Sequence, residues 1–333
     1  MTPIRKSITI LIALILLMWV PAHAQRKLLQ SQYMVNYMQV NPAVVGLNRF
    51  TEFRLSARNQ WAGVKGAPTT YFGGLNMPIN YHKTAHEENQ ELYQDVVGYD
   101  ERPHHGFGIS AMNDQVGVIE QVRAYGTYAY HLQLTPKIML STGLSIGVIN
   151  THVNRDEIVL YDKNDTAVDE IQDAARADLQ VGFWLHSINW FAGFSTLEIN
   201  RNNDFGKKDV RVHPAYYLTG GYRFVLSRDI DFIPSVMVRS ASLEENALDY
   251  NLKVRYQSIL WAGLSMRGVN YGFDPSELVF LCGADLRNGI TFAYSYDYQM
   301  SEIKTVSHGS HEFTVGYALR GKRQRRLNRR NFW

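Results

Sequence analysis

The sequence predicts an all-β protein that forms a closed antiparallel transmembrane β-barrel of about fourteen strands. Three observations predict this fold class. Apolar and polar residues alternate with a period of two along almost the whole chain. The alternating stretches run to about ten residues, which is enough to cross a bilayer at a tilt. The connections between them are alternately short and long, as in membrane barrels.

The alternation is clearest in residues 290–300 and 248–257. In 290–300 the even positions are all apolar or aromatic, whereas the odd positions are small or polar. In 248–257 the odd positions carry Asp249, Lys253 and Arg255. A soluble sandwich would show the same alternation around a shared core, but its strands are usually five or six residues long. Strand length therefore favours the barrel, with an apolar outer face and a polar lumen.

The pattern divides into an even number of strands. The start of the first strand and the end of the last strand therefore lie on the same side of the membrane, which is predicted to be the periplasmic side. Pairing the last strand with the first removes the open edges that hydrocarbon does not tolerate. A short turn near 113–117 and a long insert at 81–105 depart from the alternation of connection lengths. The predicted strands are 49–61, 67–80, 105–116, 118–132, 137–153, 177–187, 189–199, 213–227, 229–241, 247–257, 259–269, 277–287, 289–300 and 310–320.

The first residues have the composition of a removable export signal. Arg5 and Lys6 precede an apolar run, and Ala22-His23-Ala24 fits an A-x-A cleavage site. We therefore expect four regions in the chain. These are a signal peptide at 1–24, a periplasmic amino-terminal segment at 25–48, an outer-membrane barrel at 49–320 and a basic carboxy-terminal tail at 321–333.

The basic tail explains most of the positive charge of the chain. Seven Arg and Lys residues lie between 320 and 330, so the formal net charge of +3 does not describe a basic barrel surface. An exported protein does not routinely meet nucleic acid, which we exclude as a partner. Anionic lipid head groups, an acidic partner or a solvated, disordered end remain open for this tail.

Both ends of the predicted barrel carry a recognisable pattern of residues. It consists of Ser31-Gln32-Tyr33-Met34, Asn36, Asn41-Pro42-Ala43, Gly46, Arg58-Asn59-Gln60-Trp61, Gly66-Ala67-Pro68-Thr69-Thr70, Gly106-Phe107-Gly108, Asn113-Asp114, Gly117, Tyr296-Asp297-Tyr298 and Gly309-Ser310-His311-Glu312. This pattern closely resembles the PorP/SprF family of outer-membrane proteins, which belong to the type IX secretion and gliding machinery.

The resemblance implies a barrel in the outer membrane that works with other secretion-system components. Such a barrel would dock the C-terminal domain of a secreted cargo protein, often a cell surface adhesin, for surface attachment or translocation. Outer-membrane lipid would surround it. The polar lumen leaves a second function open, that of a porin-like diffusion channel.

The candidate partner-binding residues come from the family pattern and from their expected positions. Asn41-Pro42 forms a turn ahead of the first strand, where Gly46 can supply a strained backbone angle. Arg58 and Gln60 are expected to point into the lumen, and Trp61 to lie at the external rim, where the turn at 67–69 either contacts a partner or only closes the loop. The full set is Asn41, Pro42, Gly46, Arg58, Asn59, Gln60, Trp61, Gly66, Pro68, Thr69, His311 and Glu312.

Ionisable residues on the predicted inner face have mixed signs, which indicates ion pairs across the lumen that stiffen the barrel. They are Arg54, Arg58, Arg123, Arg223, Arg239, Asp249, Lys253, Arg255, Asp285, Arg287, Asp297 and Glu312.

The sequence carries no arrangement that predicts catalysis, a metal or a cofactor. The densest cluster of possible ligands is His82, His86, Glu87 and Glu88, with His104 and His105 at the other end of the same insert. Two His residues four apart could hold a metal if the insert were helical. A solvated loop is the favoured interpretation, and we expect a protein that is not an enzyme.

Overall fold

The computed structural model describes residues 30–48, 50–79, 103–155, 173–199, 214–240, 246–269 and 275–319. Within these ranges, fourteen antiparallel strands close into one β-barrel, which confirms the predicted fold class. The strands are β1 Thr51–Asn59, β2 Thr69–Ile79, β3 His104–Val116, β4 Ile119–Thr135, β5 Ile138–Val153, β6 Ala174–His186, β7 Trp190–Leu197, β8 Ala215–Tyr222 with a short continuation at Phe224–Val225, β9 Ile230–Ser240, β10 Asn246–Tyr256, β11 Leu260–Val269, β12 Glu277–Asp285, β13 Ile290–Gln299 and β14 Ser310–Leu319.

Each strand pairs with its neighbours in sequence, and β14 pairs with β1 to complete the cylinder. That closing register runs from Thr51 opposite Leu319 to Asn59 opposite His311. No helix among the described residues is both long enough and apolar enough to span a bilayer.

The barrel has two ends that differ in their connections. We call the end where β1 begins and β14 finishes the near end, and the opposite end the far end. Among the described residues, the near end has tight turns at 136–137, 187–189, 226–229, 257–259 and 286–289, whereas the far end carries longer connections such as 60–68 and 300–309. The tight β3–β4 turn at 117–118 is an exception at the far end, as the sequence predicts. The predicted periplasmic position of the near end stays a prediction. The predicted leader at 1–24, most of the insert at 81–105 and the basic tail at 321–333 lie outside the described residues.

The two faces of the wall differ in polarity as the alternation predicts. On β1, the outward side chains of Phe53 and Leu55 are 45% and 67% exposed, whereas the intervening Arg54 and the inward Arg58 are buried. The same pattern repeats on the other strands, where most large exposed side chains are apolar. The single cysteine, Cys282, faces outward on β12. The outer wall therefore has the composition of a lipid-facing surface.

The described part of the segment expected ahead of the barrel lies inside it. Residues 30–48 form three short 3-10 turns, Ser31–Met34, Tyr37–Gln39 and Pro42–Val44. Their apolar side chains are buried because the inner walls of several strands also present large apolar residues, which together form one core. The core includes Tyr33, Met34, Tyr37, Val40, Ala43, Val44 and Leu47 against Trp184, Phe191, Tyr217, Met237 and Trp261. We call residues 30–48 the luminal segment.

The luminal segment runs through the barrel from the far end to the near end. Ser31 contacts Arg58 and Glu312, which lie within two residues of the far ends of β1 and β14. Gly46 contacts His104, the first residue of β3 at the near end. The chain then enters β1 at Thr51 from the near end.

Candidate functional site: the luminal segment and the far rim

Asn41 fastens the luminal segment to two adjacent strands. Its Nδ2 donates hydrogen bonds to the carbonyl oxygens of Phe183 at 3.0 Å and Phe194 at 3.2 Å, two residues that face each other in the β6–β7 pairing. Its Oδ1 accepts a hydrogen bond from the Ala43 backbone N–H at 2.9 Å, which caps the last 3-10 turn. The Asn41 side chain therefore forms hydrogen bonds both to the 3-10 turn and to the barrel wall.

Glycines on the inner wall make room for this close approach. A Cβ on Gly182 would overlap the Asn41 Oδ1, and a Cβ on Gly143 would overlap the Pro42 and Ala43 backbone. On β3, a Cβ on Gly106 would overlap the Val45 carbonyl. These inward glycines on neighbouring strands are the sequence signal that could have revealed a chain packed against the wall.

We expect Gly106→Ala to loosen the luminal segment, because the added methyl meets backbone atoms on its inner side. Overpacking of this kind costs about 1–3 kcal/mol. The measurement is the midpoint of chemical unfolding of the purified protein in detergent. The matched control is Gly126→Ala, since a Cβ on Gly126 has nothing within 4 Å. Equal midpoints for the two variants would contradict tight packing at Gly106.

Two buried histidines hold the carbonyls at the near end of the luminal segment. His131 Nε2 lies 2.8 Å from the Val45 oxygen, and His104 Nε2 lies 3.1 Å from the Gly46 oxygen. The two rings stack with centroids 4.4 Å apart. Because a carbonyl oxygen only accepts, each of these ring nitrogens donates its hydrogen. The histidines therefore position the chain where it turns towards β1.

The described members of the predicted cluster of metal ligands, His104 and His105, do not come together. His104 points into the lumen, whereas the next residue, His105, points outward and its Nδ1 lies 2.7 Å from the Tyr128 hydroxyl. His82, His86, Glu87 and Glu88 lie outside the described residues. Within the described ranges, no three His, Cys, Asp or Glu side chains lie close enough to hold a metal ion.

Aromatic side chains fill the middle of the lumen. Tyr37 packs against Trp184 and Phe191 with centroid distances of 5.1 and 5.7 Å, and these two rings stack on each other at 4.9 Å. The Tyr33 hydroxyl accepts a hydrogen bond from the Asn251 Nδ2 at 2.9 Å. These contacts hold the middle of the luminal segment against the inner wall.

A buried ion cluster holds the far end of the luminal segment, with Ser31 at its centre. Arg58 pairs with Asp297 at 2.7 Å and with Glu312 at 3.2 Å. The Ser31 N–H donates to Glu312 at 2.7 Å, and its hydroxyl donates to Asp297 at 2.6 Å. Arg267 donates to the Ser31 hydroxyl at 2.7 Å. We call these five residues the Ser31 cluster; it ties the segment to β1, β11, β13 and β14.

Ion pairs also line the rest of the inner wall, as the mixed signs predict, but most of them join neighbouring strands of the wall instead of crossing the lumen. Most of the predicted luminal ions are paired, for example Arg239 with Asp249 at 2.9 Å. Arg287 differs: it is exposed in the turn 286–289, because β12 ends before it. Several partners in these ion pairs are not among the predicted luminal ions, although inward parity on the strands could have revealed them. They are Glu52, Asp114, Arg176, Asp231, Arg267 and Glu277. Glu198, the partner of Arg176, follows the end of β7 with a φ of 55° and does not have the inward parity of that strand.

The loop that joins β1 to β2 is tied to its neighbours at the far end. The Ala62 N–H donates to the Gly309 carbonyl, and the His308 N–H donates to the Ala62 carbonyl, both at 2.8 Å. On the other side, the Gly117 N–H donates to the Gly66 carbonyl at 3.0 Å. We call residues 60–68, 117 and 301–310 the rim pad. It combines connections from three hairpins into one surface.

The candidate partner-binding residues predicted from the sequence lie in several separate parts of the structure and do not form one patch. Asn41, Pro42 and Gly46 belong to the luminal segment, and Arg58 and Glu312 to the Ser31 cluster. The rim pad contains Gln60, Trp61, Gly66 and Pro68, with Thr69 beginning β2 beside it. Asn59 and His311 face outward opposite each other, and the His311 Nδ1 lies 2.8 Å from the Tyr294 hydroxyl. Any direct role of these residues in binding a partner stays a prediction.

An apolar outer wall, a closed cylinder and a polar, occupied lumen define the class of protein as an outer-membrane β-barrel. One known structure supports the fold. The barrel is similar to the toluene transporter TbuX of Ralstonia pickettii, with a TM-score of 0.53 and 8% sequence identity over 84% of this chain and 92% of that one. Omp33 of Acinetobacter baumannii is also similar, with a TM-score of 0.45 and 9% identity over 82% of this chain and 100% of that one.

The chain belongs to the family of type IX secretion system membrane proteins PorP/SprF, which it matches over residues 22–317. This confirms the resemblance seen in the sequence. No curated protein matches the chain. Barrel fold and family together point to the outer membrane, and family membership implies contact with other components of the secretion system.

Proposed function

We propose that the protein is a closed docking barrel of the type IX secretion machinery, and that its far end binds the C-terminal domain of a secreted cargo protein. The cargo, an adhesin in this proposal, is then held at the surface or passed along for translocation. One observation carries the proposal: the luminal segment fills the barrel and is bonded to its wall from Asn41 to the Ser31 cluster. A barrel whose lumen is filled is better suited to holding a partner protein than to letting solutes diffuse through it.

The rim pad is the surface that we propose for docking. Its backbone hydrogen bonds give it a defined shape, and it presents exposed side chains such as Lys65 and Val306, the latter 62% exposed. In this proposal the far end faces outward from the cell, the leader is removed, lipid covers the outer wall and the protein acts without catalysis. The longer connections at the far end support this orientation.

The alternative function of a diffusion channel is less well supported by the shape of the lumen. Beside the luminal segment lie two small cavities, of about 90 and 80 Å³. Each has room for only a few water molecules. Met38 and Phe72 contribute to the walls of both cavities.

We expect a photo-crosslinking amino acid at Val306 to capture cargo in cells that make the protein. The matched control is the same replacement at Ile188, an exposed apolar residue in a near-end turn, 51% exposed. Mass spectrometry should identify the C-terminal domain of a secreted protein with Val306 and not with Ile188. A deletion strain should lose that cargo from its surface. Normal cargo display in the deletion strain, or equal capture at both positions, would contradict docking at the rim pad.

A further inference from the structure

We infer that the larger of the two cavities beside the luminal segment, of about 90 Å³, is a binding site for a carboxylate group, and that Lys253 supplies the positive charge that holds it. The cavity lies at the near mouth of the barrel. Its walls include Ser258 in the turn 257–259 and Arg255, the last residue but one of β10. The site is therefore at the opposite end from the rim pad and does not depend on cargo docking.

Lys253 has no counter-ion on the barrel wall. Among the described residues, none forms a hydrogen bond or an ion pair with its ammonium group. The residues opposite it on the two neighbouring strands are Ile233 and Gly263, which carry no charge. Two positions further along β10, Arg255 lies opposite Asp231 and donates two hydrogen bonds to it, at 2.7 and 3.0 Å. The wall therefore neutralises Arg255 but not Lys253.

An ammonium group inside a barrel has to be hydrated or to bind an anion, because removing a charge from water is costly. Lys253 and Arg255 face the same side of β10, since they are two positions apart. The Arg255 Nη1 makes no hydrogen bond to a described residue, because Asp231 is bound by the Nε and Nη2. Two cationic groups on one strand therefore offer unused donors to this cavity, and such donors form strong hydrogen bonds with a carboxylate.

The charges around the cavity suit a ligand with a single negative charge. Arg54 also lines the cavity, but it is paired with Glu52 at 2.6 Å. Asp285 lines the cavity as well, and its Oδ1 accepts a hydrogen bond from the Thr291 hydroxyl at 2.8 Å. Of the cationic side chains in this lining, Lys253 alone has no ion-pair partner among the described residues. A carboxylate therefore fits better than a phosphate dianion.

Much of the remaining lining is apolar. It includes Tyr37, Leu47, Phe72 and Trp261. An apolar group attached to the carboxylate would be removed from water against these side chains, which favours binding. The ligand class is therefore a small carboxylic acid with an apolar group, or the carboxyl end of a polypeptide that reaches the near mouth.

Calorimetric titration of the purified protein in detergent tests this site. The probes are propionate, with propionamide as its uncharged analogue, and a tripeptide of alanine with a free carboxyl end, with the amidated tripeptide as its control. We expect at least one carboxylate to bind and neither amide to do so. The tighter of the two carboxylates identifies the source of the ligand. An amide that binds as tightly as its carboxylate, or no binding of either carboxylate, would overturn the inference.

Replacing Lys253 by methionine separates ligand binding from a structural role. Lys253→Met should lower the affinity for the carboxylate about tenfold or more, because a hydrogen bond to a charged group is lost. The midpoint of chemical unfolding without ligand should stay the same or rise, since Lys253 has no partner to lose. Asp285→Asn should raise the affinity, because it removes a like charge from the cavity.

The matched control is Lys137→Met, at an exposed position in the near-end turn 136–137, which should leave the affinity unchanged. Equal affinities of Lys253→Met and Lys137→Met would show that Lys253 does not hold the ligand. A clear drop in the unfolding midpoint of ligand-free Lys253→Met would assign Lys253 to the structure of the wall instead of to a ligand.

Discussion

Removing residues 30–48 is expected to turn a closed barrel into a conducting one. The purified wild-type protein should show no stable openings in a planar bilayer at fixed voltage, because aromatic and aliphatic side chains of the luminal segment fill the lumen. Without the segment, the inner wall presents many ionisable and small polar residues beside the apolar residues of the core, and water and ions can enter a lumen with such a lining. The deletion variant should therefore show stable openings.

A point variant guards against misfolding of the deletion variant. Gly143→Leu places a side chain where Pro42 and Ala43 lie and should displace the segment while every strand remains. We expect intermittent openings from this variant. Its control is Gly126→Leu, whose side chain would point into open space outside the barrel. Wild-type openings as frequent as those of the deletion variant would favour the diffusion channel.

Replacing Arg58 by alanine is expected to be the most destabilising single change in the Ser31 cluster. Arg58 is buried and contacts Asp297 and Glu312, whose side chains are fully buried. Removing one partner of a buried ion pair costs about 3–5 kcal/mol, since the remaining charge has lost its counter-ion and cannot reach water. The measurement is the free energy of unfolding in guanidinium or urea in detergent.

Arg287→Ala is the matched control for this prediction. Arg287 is exposed in the turn 286–289, and surface substitutions change stability by about 0.5 kcal/mol or less. Arg58→Ala should also increase labelling or proteolysis of the luminal segment, because Ser31 loses one of its partners. If both variants unfold at the same denaturant concentration, the Ser31 cluster does not stabilise the barrel.

The strands could be predicted from the sequence because alternation is a local property. The inward and outward positions of β10, for example, follow from Asp249, Asn251 and Arg255 alternating with large apolar residues. Membrane barrels require this alternation on every strand, so the pattern repeats along the chain. The strand ends in the structure differ from the predicted ends by only a few residues. For example, β6 begins at Ala174, whereas the predicted strand begins at 177.

The luminal segment could not be predicted in the same way. Its short 3-10 turns have no period, and its contacts join residues far apart in sequence: Asn41 with Phe194, and Ser31 with Glu312, which are 281 positions apart. Only the inward glycines hinted at a chain against the wall. For the same reason, the sequence alone predicts only a turn ahead of the barrel at Asn41-Pro42, because the partners of Asn41 lie on distant strands.

The contact between Ser31 and Glu312 also has a consequence for the order of biogenesis. Ser31 precedes every described strand in the chain, and β14 is the last described strand. Ser31 therefore lacks Glu312 as a partner until the final hairpin has been added. A chain that stops before β14 lacks Glu312, so Ser31 and Arg58 each lose one partner and keep only Asp297 and Arg267 from the strands already made.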